Sequence, residues 1–370
     1  MNIESILKKD GITVLEQLDT LTVNTIASGI SEKLCDAFPN FGLNKPELFM
    51  KLSRLSMYYA DMEDGLAEAN YFYKNSSIYF NSHCSIEEIE EAAVHECIHY
   101  LQEIKDKRNY LIKMGLCDYS EFKIYGLGLN EAAVQLMASK ANHTRSESVK
   151  YFGIDFTTNS PSYYPLECCL VEQLSYLIGE DVLFKSTLFS SNEFSLKLAD
   201  ATSQKTYIAI ENAIDFILDC EEKIIKLNNK IAEADDRNQK IDIMIQKINN
   251  LKDEIKLTFM RTQNLIISSF FDTAFDKITK LDQIDSFRKK LYSFRDYLGT
   301  TEGYSFFEDY YIEKIAALEH KSNVIENGGM ETSINIRIEE KQNFIIILFK
   351  KLKALILGNS KQTDTEKDIS

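Results

Sequence analysis

No proline follows Pro165 in this 370-residue chain: Pro39, Pro46, Pro161 and Pro165 are its only four. Proline removes a backbone donor and breaks helices, so the second half is free to form long, uninterrupted ones. A seven-residue apolar repeat agrees. Ile217, Ile224, Ile231, Ile245 and Phe259 share one position of the repeat, and Leu227, Ala234, Ile241, Ile248 and Ile255 share the other. Asn238 and Lys252 interrupt the first series, and polar residues at such positions fix register or partner number at a cost in stability. The stretch 217–262 therefore reads as a coiled coil. It either folds back on another helix of the chain, the arrangement we favour given the apolar patterns at 265–297 and 304–318, or pairs with a helical partner or a second copy.

The first half has a different grammar. Ala69-Asn70-Tyr71-Phe72-Tyr73 and Ser77-Ile78-Tyr79-Phe80 read as two strands joined by a turn at Asn75 and Ser76. Ser85-Ile86-Glu87-Glu88 then forms a capping box that opens a helix expected to run to about Asp106. Val94, Ile98 and Leu101 make its apolar stripe, while Ala92, His95, His99 and Gln102 share a neighbouring small and polar face. The fold class is α+β: mostly α-helical, with a small β-hairpin or sheet beside this helix and an all-α coiled-coil half after it.

That polar face carries His95-Glu96-Cys97-Ile98-His99. Residues four apart stack on one helical face, so both imidazoles can reach a single Zn²⁺. Glu96, offset by one position, stands beside a metal-bound water as its general base. With five histidines in the chain, the pattern arises by accident in roughly 0.5% of sequences of this composition, which makes chance a poor explanation. Cys97 lies inside the motif but points away from both histidines.

A catalytic zinc takes three protein ligands and keeps one position open. A histidine six residues beyond His99 is absent, since Gln102 and Lys105 occupy that region. In Gly128-Leu129-Asn130-Glu131-Ala132-Ala133-Val134-Gln135, Asn130 is expected to cap a second helix and place Glu131 in its first turn. Taken alone, Glu131 reads more readily as an ordinary carboxylate at the positive end of a helix, and it is the histidine pair that favours ligation. His143, Asp118 and Glu121 are rival ligands. His83 and Cys84, at a strand end without a second pair, read as structural.

These residues resemble the gluzincin metallopeptidases, in which a two-histidine helix is followed by a second helix that begins Asn-Glu and donates a glutamate to zinc. The resemblance is carried by His95, Glu96, His99, Asn130 and Glu131, and extends over roughly 50–200. It implies that His95, His99 and Glu131 ligate zinc, that Glu96 is the general base, and that the hairpin forms a rim along which an extended peptide aligns. Where thermolysin-like members hold an acidic residue behind the ligands, this chain has Gln135, whose amide still accepts a hydrogen bond from a ligand imidazole, more weakly. The Gly-x-Met-Glu-Asn run of the aminopeptidases and the accompanying motifs of peptide deformylases are missing, which points to an endopeptidase. For the oxyanion-stabilising group the candidates are Tyr163, Tyr164, His143 and Arg145. Tyr164 is preferred, because Pro165 suits a first helical turn and holds its neighbour rigidly.

The remaining features bound the function. Hydrophobic content of 44% and charged content of 27% are those of a globular chain. A net charge of −15 disfavours nucleic acid, which needs a basic surface, and is otherwise explained by solubility; attraction of a basic peptide rests on nothing local in the sequence. Seven scattered cysteines fit a reducing compartment, and the N-terminus lacks the apolar core of a signal peptide, so the expected location is cytoplasmic. The segment 343–358 is apolar and cationic together, too short to span a membrane. It fits a terminal helix docked on the coiled coil or one lying on a membrane surface. The expected division is 1–200 metallopeptidase-like, 201–342 helical, 343–358 amphipathic helix and 359–370 disordered tail. Two functions are carried forward: a zinc-dependent peptidase acting on a peptide or protein substrate, and a coiled-coil scaffold with a vestigial or structural metal site.

Overall fold

The computed structural model describes residues 3–9, 11–62, 68–119, 124–234, 240–299 and 305–326, and they form a mostly helical α+β protein. The segments 343–358 and 359–370, and Asn238 in the repeat, lie outside the described residues. Among the described residues no helix is long and apolar enough to cross a membrane.

The first half begins with α1 (Ile3–Lys9), β1 (Ile12–Gln17), α2 (Thr20–Ala37), α3 (Lys45–Leu52) and β2 (Ser56–Met62), and continues with β3 (Ala69–Phe72) and β4 (Ser77–Asn81). The expected hairpin is β3–β4, antiparallel from Ala69↔Phe80 to Phe72↔Ser77. It belongs to a four-stranded sheet ordered β1-β2-β4-β3, with β2 and β4 parallel and β3 at the edge. Met57, Ile78 and Phe80 are buried on this sheet. The edge strand runs beside α4 (Ile86–Gln102), the helix of the histidine motif.

The capping box that opens α4 is complete. Ser85 Oγ accepts from the Glu88 N–H at 3.2 Å, and the Glu88 carboxylate accepts from the Ser85 N–H at 2.7 Å. Ala93, Val94, Cys97 and Ile98 form its fully buried face. Each large apolar side chain so removed from water contributes roughly 1.5–3 kcal/mol. The helix stops at Gln102 rather than near Asp106, because Glu103–Lys105 become β5 and pair with β6 (Leu111–Met114) in a second sheet, β5-β6-β7-β8. Asp106 instead organises the intervening turn, its Oδ1 accepting from the N–H groups of Arg108 and Tyr110 at 2.8 and 2.9 Å.

After β7 (Cys117–Tyr119) and β8 (Ile124–Tyr125) comes α5 (Leu127–Ala141), then the β9–β10 hairpin (Glu147–Tyr151, Ile154–Thr158). From Pro165 onward the described residues are helices and their connections: α6 (Pro165–Ile178), α7 (Glu180–Leu188), α8 (Glu193–Ala201), α9 (Gln204–Ala232), α10 (Lys240–Asp276), α11 (Leu281–Leu298) and α12 (Ser305–Glu326). The repeat at 217–262 is not one helix. It straddles two arms that pack on each other, α9 ending at Ala232 and α10 beginning at Lys240. They run antiparallel, since Thr273 and Lys277 near the end of α10 donate to the carbonyls of Thr202 and Asp200 before the start of α9. Ile217 and Ile224 are buried on one arm and Ile248, Ile255 and Phe259 on the other, but Ile245 is 45% exposed, because the heptad phase is not kept across the break. The helix expected over 265–297 is divided as well: Gln283 Oε1 accepts from the N–H groups of Thr279 and Lys280 and starts α11 afresh.

One apolar core runs from Leu18 to Leu318 through both halves, with Phe271, Phe294 and Phe307 among its fully buried rings. The helices α5 and α9 approach closely. A Cβ added to Gly128 would lie 2.9 Å from the backbone oxygen of Ile214, so only glycine permits this packing. Gly128→Val is expected to destabilise the protein by about 2–3 kcal/mol, read as a lower urea midpoint at unchanged slope.

Candidate metal centre

His95 and His99 stand one turn apart on α4, and Glu131 faces them from α5. The two imidazole Nε2 atoms are 2.9 Å apart, and Glu131 Oε2 lies 3.2 Å from His95 Nε2 and 3.4 Å from His99 Nε2. Tetrahedral coordination with bonds near 2.1 Å separates ligand atoms by about 3.4 Å, so the triangle has the approximate dimensions of three ligands around one metal ion. Among the described residues this is the one such group of histidine, cysteine and carboxylate side chains.

The hydrogen bonds around the triangle fix its chemistry. Gln135 Nε2 donates to Ser139 Oγ at 3.3 Å, which turns its Oε1 toward His95. His95 Nδ1 then donates to that oxygen at 2.9 Å, leaving the Nε2 lone pair directed at the triangle. Gln135 does what was expected of it. His99 Nδ1 is buried with no partner among the described residues.

Three electron-rich atoms this close, two on buried imidazoles and one on a half-buried carboxylate, require positive charge between them, from a metal ion or from a proton. Burial works against the charged form of His99, but Glu131 outweighs it and lifts the ring to about 9. Burial likewise opposes the charge of Glu131, yet His99 and His95 hold its carboxyl well below the usual carboxylate range. With both imidazoles in their neutral form, two nitrogen ligands and one ionised oxygen ligand are a donor set suited to a borderline divalent ion.

Glu131 is not in the first turn of its helix, and Asn130 is not the cap. The N-cap is Gly126 in the left-handed region at φ 73°, and α5 begins at Leu127, putting Glu131 one turn further in. Asp215 on α9 answers the helix's free donors, accepting from Gly126 N at 3.0 Å and Gly128 N at 2.8 Å. Asn130, fully buried, uses its Oδ1 to accept from Leu116 N at 2.9 Å and from Gln102 Nε2 at 3.4 Å, tying α5 to the end of α4. No sequence signal within α5 reveals Asp215, because it arrives from a helix far downstream.

Glu96 is nearly buried, and its Oε2 accepts from the Tyr71 N–H of edge strand β3 at 2.6 Å. The edge thus fixes one oxygen of the carboxylate beside the triangle. Tyr164 is also brought in: its ring stacks 6.1 Å from the His95 ring. It is the N-cap of α6 at φ 48°, a strained conformation for tyrosine, with Pro165 following at N1 and Ser160 Oγ donating to the preceding Tyr163 carbonyl at 2.6 Å. Burial pushes its phenol well above the usual tyrosine range, and Glu131 and Glu96 push it further.

The other candidates lie elsewhere. His143 is exposed, as is Arg145; Asp118 pairs with Lys113 at 3.4 Å; Glu121 is outside the described residues. His83 pairs with Asp61 at 3.2 Å near exposed solvent. None of the seven cysteines is in a disulfide, and Cys97 is buried in the core.

A cavity of about 360 Å³ lies beside the triangle, lined by His95, Glu96, Gln135, Tyr151, Tyr164 and Glu221 of α9 among others. Behind it stands Glu167 of α6, fully buried, with neither oxygen partnered among the described residues. Burial raises both carboxyls, and Glu167 raises Glu221 further. A carboxyl with a raised native pKa binds more protons folded than unfolded, so its stabilising contribution is full below the ordinary value near 4.5 and is lost as pH climbs through the raised one. Melting temperature is therefore expected to fall from pH 5 toward pH 8. Glu167→Gln, which imitates the protonated form, should flatten that slope and gain more than about 1 kcal/mol at pH 8 over the parent, read by thermal denaturation across buffers.

Comparison with protein-family models, with curated proteins and with solved structures finds no match to this chain, so what the site does is argued from its own geometry.

Proposed function

We propose that this protein is a zinc-dependent peptidase of the gluzincin kind, with His95, His99 and Glu131 as ligands. The observation that supports it most is the convergence of two Nε2 atoms and one carboxylate oxygen within 3.4 Å of each other, beside a carboxylate held by an edge strand. Zinc in such a site lowers the pKa of its water and polarises a substrate carbonyl. Glu96 accepts the proton of the attacking water on its carboxylate and returns it to the leaving amine, the fixed position of its Oε2 keeping it aimed through both transfers. The phenol of Tyr164 donates to the oxygen that gains charge in the tetrahedral intermediate. The outward edge of β3 offers backbone groups to an extended peptide, which makes an endopeptidase the natural form.

Metal analysis of purified protein tests the first half of this reading. One zinc per chain is expected in the wild type and none in His95→Ala, and a wild type that binds no divalent ion would overturn it. Gln135→Leu, which removes the acceptor behind His95, is expected to weaken zinc binding by about 10–100-fold in a competition titration with a chelating dye. A second reading, a helical scaffold with a structural metal, draws on the exposed Ile243, Ile245 and Leu257 of α10. It predicts zinc without peptide cleavage, and a Glu96→Gln variant indistinguishable from the parent.

A further inference from the structure

The cavity beside the triangle has a one-sided charge. Glu68, Glu91, Glu96 and Glu221 are on its wall, and among the described residues that line it there is neither lysine nor arginine. Glu96 is accounted for by the reaction. Glu221 is not: it is nine-tenths buried, it faces the cavity, and its Oε1 has no hydrogen-bond partner among the described residues. Glu167 stands behind it with both oxygens in the same condition. Two buried, unanswered carboxyls on neighbouring helices are costly, and a protein interior normally pairs such groups or replaces them. Alongside polar groups such as Ser139, Asn142 and Ser160, the lining includes the apolar or aromatic side chains of Ala92, Ala138, Tyr151 and Ile225. A long aliphatic stem with a cation at its tip matches that lining, because it buries its methylenes against the apolar side chains and brings its charge to Glu221.

We infer that this cavity is a specificity pocket for a basic side chain, lysine or arginine, of the peptide substrate, with Glu221 as the residue that receives the cation and Glu167 reinforcing it from behind. The inference rests on the peptidase reading for its context but not for its test. An incoming cation supplies the partner that Glu221 Oε1 lacks, and its charge favours the ionised forms of both carboxyls. It also gives the chain's overall acidity a local use, since a net charge of −15 raises the concentration of cationic peptides near the opening.

The test is a binding measurement that needs no turnover. Nα-acetyl-lysine amide, Nα-acetyl-arginine amide and the uncharged Nα-acetyl-norleucine amide are titrated into zinc-loaded wild type, Glu221→Gln and Glu167→Gln by calorimetry or ligand-observed NMR. The two cationic probes are expected to bind wild type at least about tenfold more tightly than norleucine, with the difference removed in Glu221→Gln and reduced in Glu167→Gln. Equal binding of all three by wild type, or discrimination that survives in Glu221→Gln, would overturn the inference. Thermal melts of the variants establish folding, and Ile225→Lys, which places a fixed cation at the wall of the cavity, provides an independent route. It should abolish binding of the cationic probes, and undiminished binding counts against the pocket. The two readings separate cleanly: discrimination without cleavage of any peptide removes the peptidase and keeps the pocket, whereas cleavage with an apolar preference keeps the peptidase and removes the pocket.

Discussion

Glu96→Gln in zinc-loaded protein is expected to lower peptide turnover by at least about 10³-fold while leaving one zinc per chain, because it removes the proton acceptor and none of the ligands. The amide is nearly isosteric, and its oxygen still accepts from the Tyr71 N–H, so the hairpin should stay in place. Single-turnover cleavage of a mixed peptide pool, with metal content measured on the same preparation, reads both quantities. Full activity in the variant would end the assignment of Glu96 as base. Loss of zinc along with activity would show instead that the carboxylate holds the site together.

Tyr164→Phe is expected to cost about 10²–10³-fold in kcat with KM nearly unchanged, the signature of a donor engaged only when charge develops on the substrate oxygen. Phenylalanine keeps the ring stacked on His95, so metal content should match the parent. An equal rise in KM would move Tyr164 from the reaction to substrate binding. The left-handed backbone at this position supplies a control: Tyr164→Gly relieves the strain and is less destabilising than the loss of a half-buried aromatic ring otherwise predicts.

The parts of this site that are legible in the sequence are those governed by local periodicity. Ser85 and Glu88 announce the start of α4, and four-residue spacing places His95 and His99 on one face regardless of what surrounds them. Glu131 was reachable by pattern, but its position within α5 was not. Asn130 looks like a cap in isolation, and tertiary structure gives that task to Gly126 and Asp215 while burying Asn130 in a bond network with Leu116 and Gln102. Likewise nothing near Gln102 shows that the chain will leave the helix there, since β5 exists only because β6 pairs with it. The heptad pattern identified the right apolar residues and the wrong continuity: Ile217 and Ile255 are buried as expected, but on opposite arms of a hairpin. Glu167 and Glu221 were invisible, because two acidic residues on amphipathic helices look like solvated surface until the fold brings them together.

Asp215 carries a consequence for how the protein matures. The helix that presents Glu131 has its leading amides answered by a carboxylate made more than eighty residues later, and its Gly128 face is covered by the same downstream helix. A nascent chain exposing both histidines and Glu131 therefore still lacks the support that holds them in register. On a ribosome adding residues at about 5–20 per second, several seconds separate the emergence of His95, His99 and Glu131 from that of their brace, so the triangle is assembled only when the arm arrives.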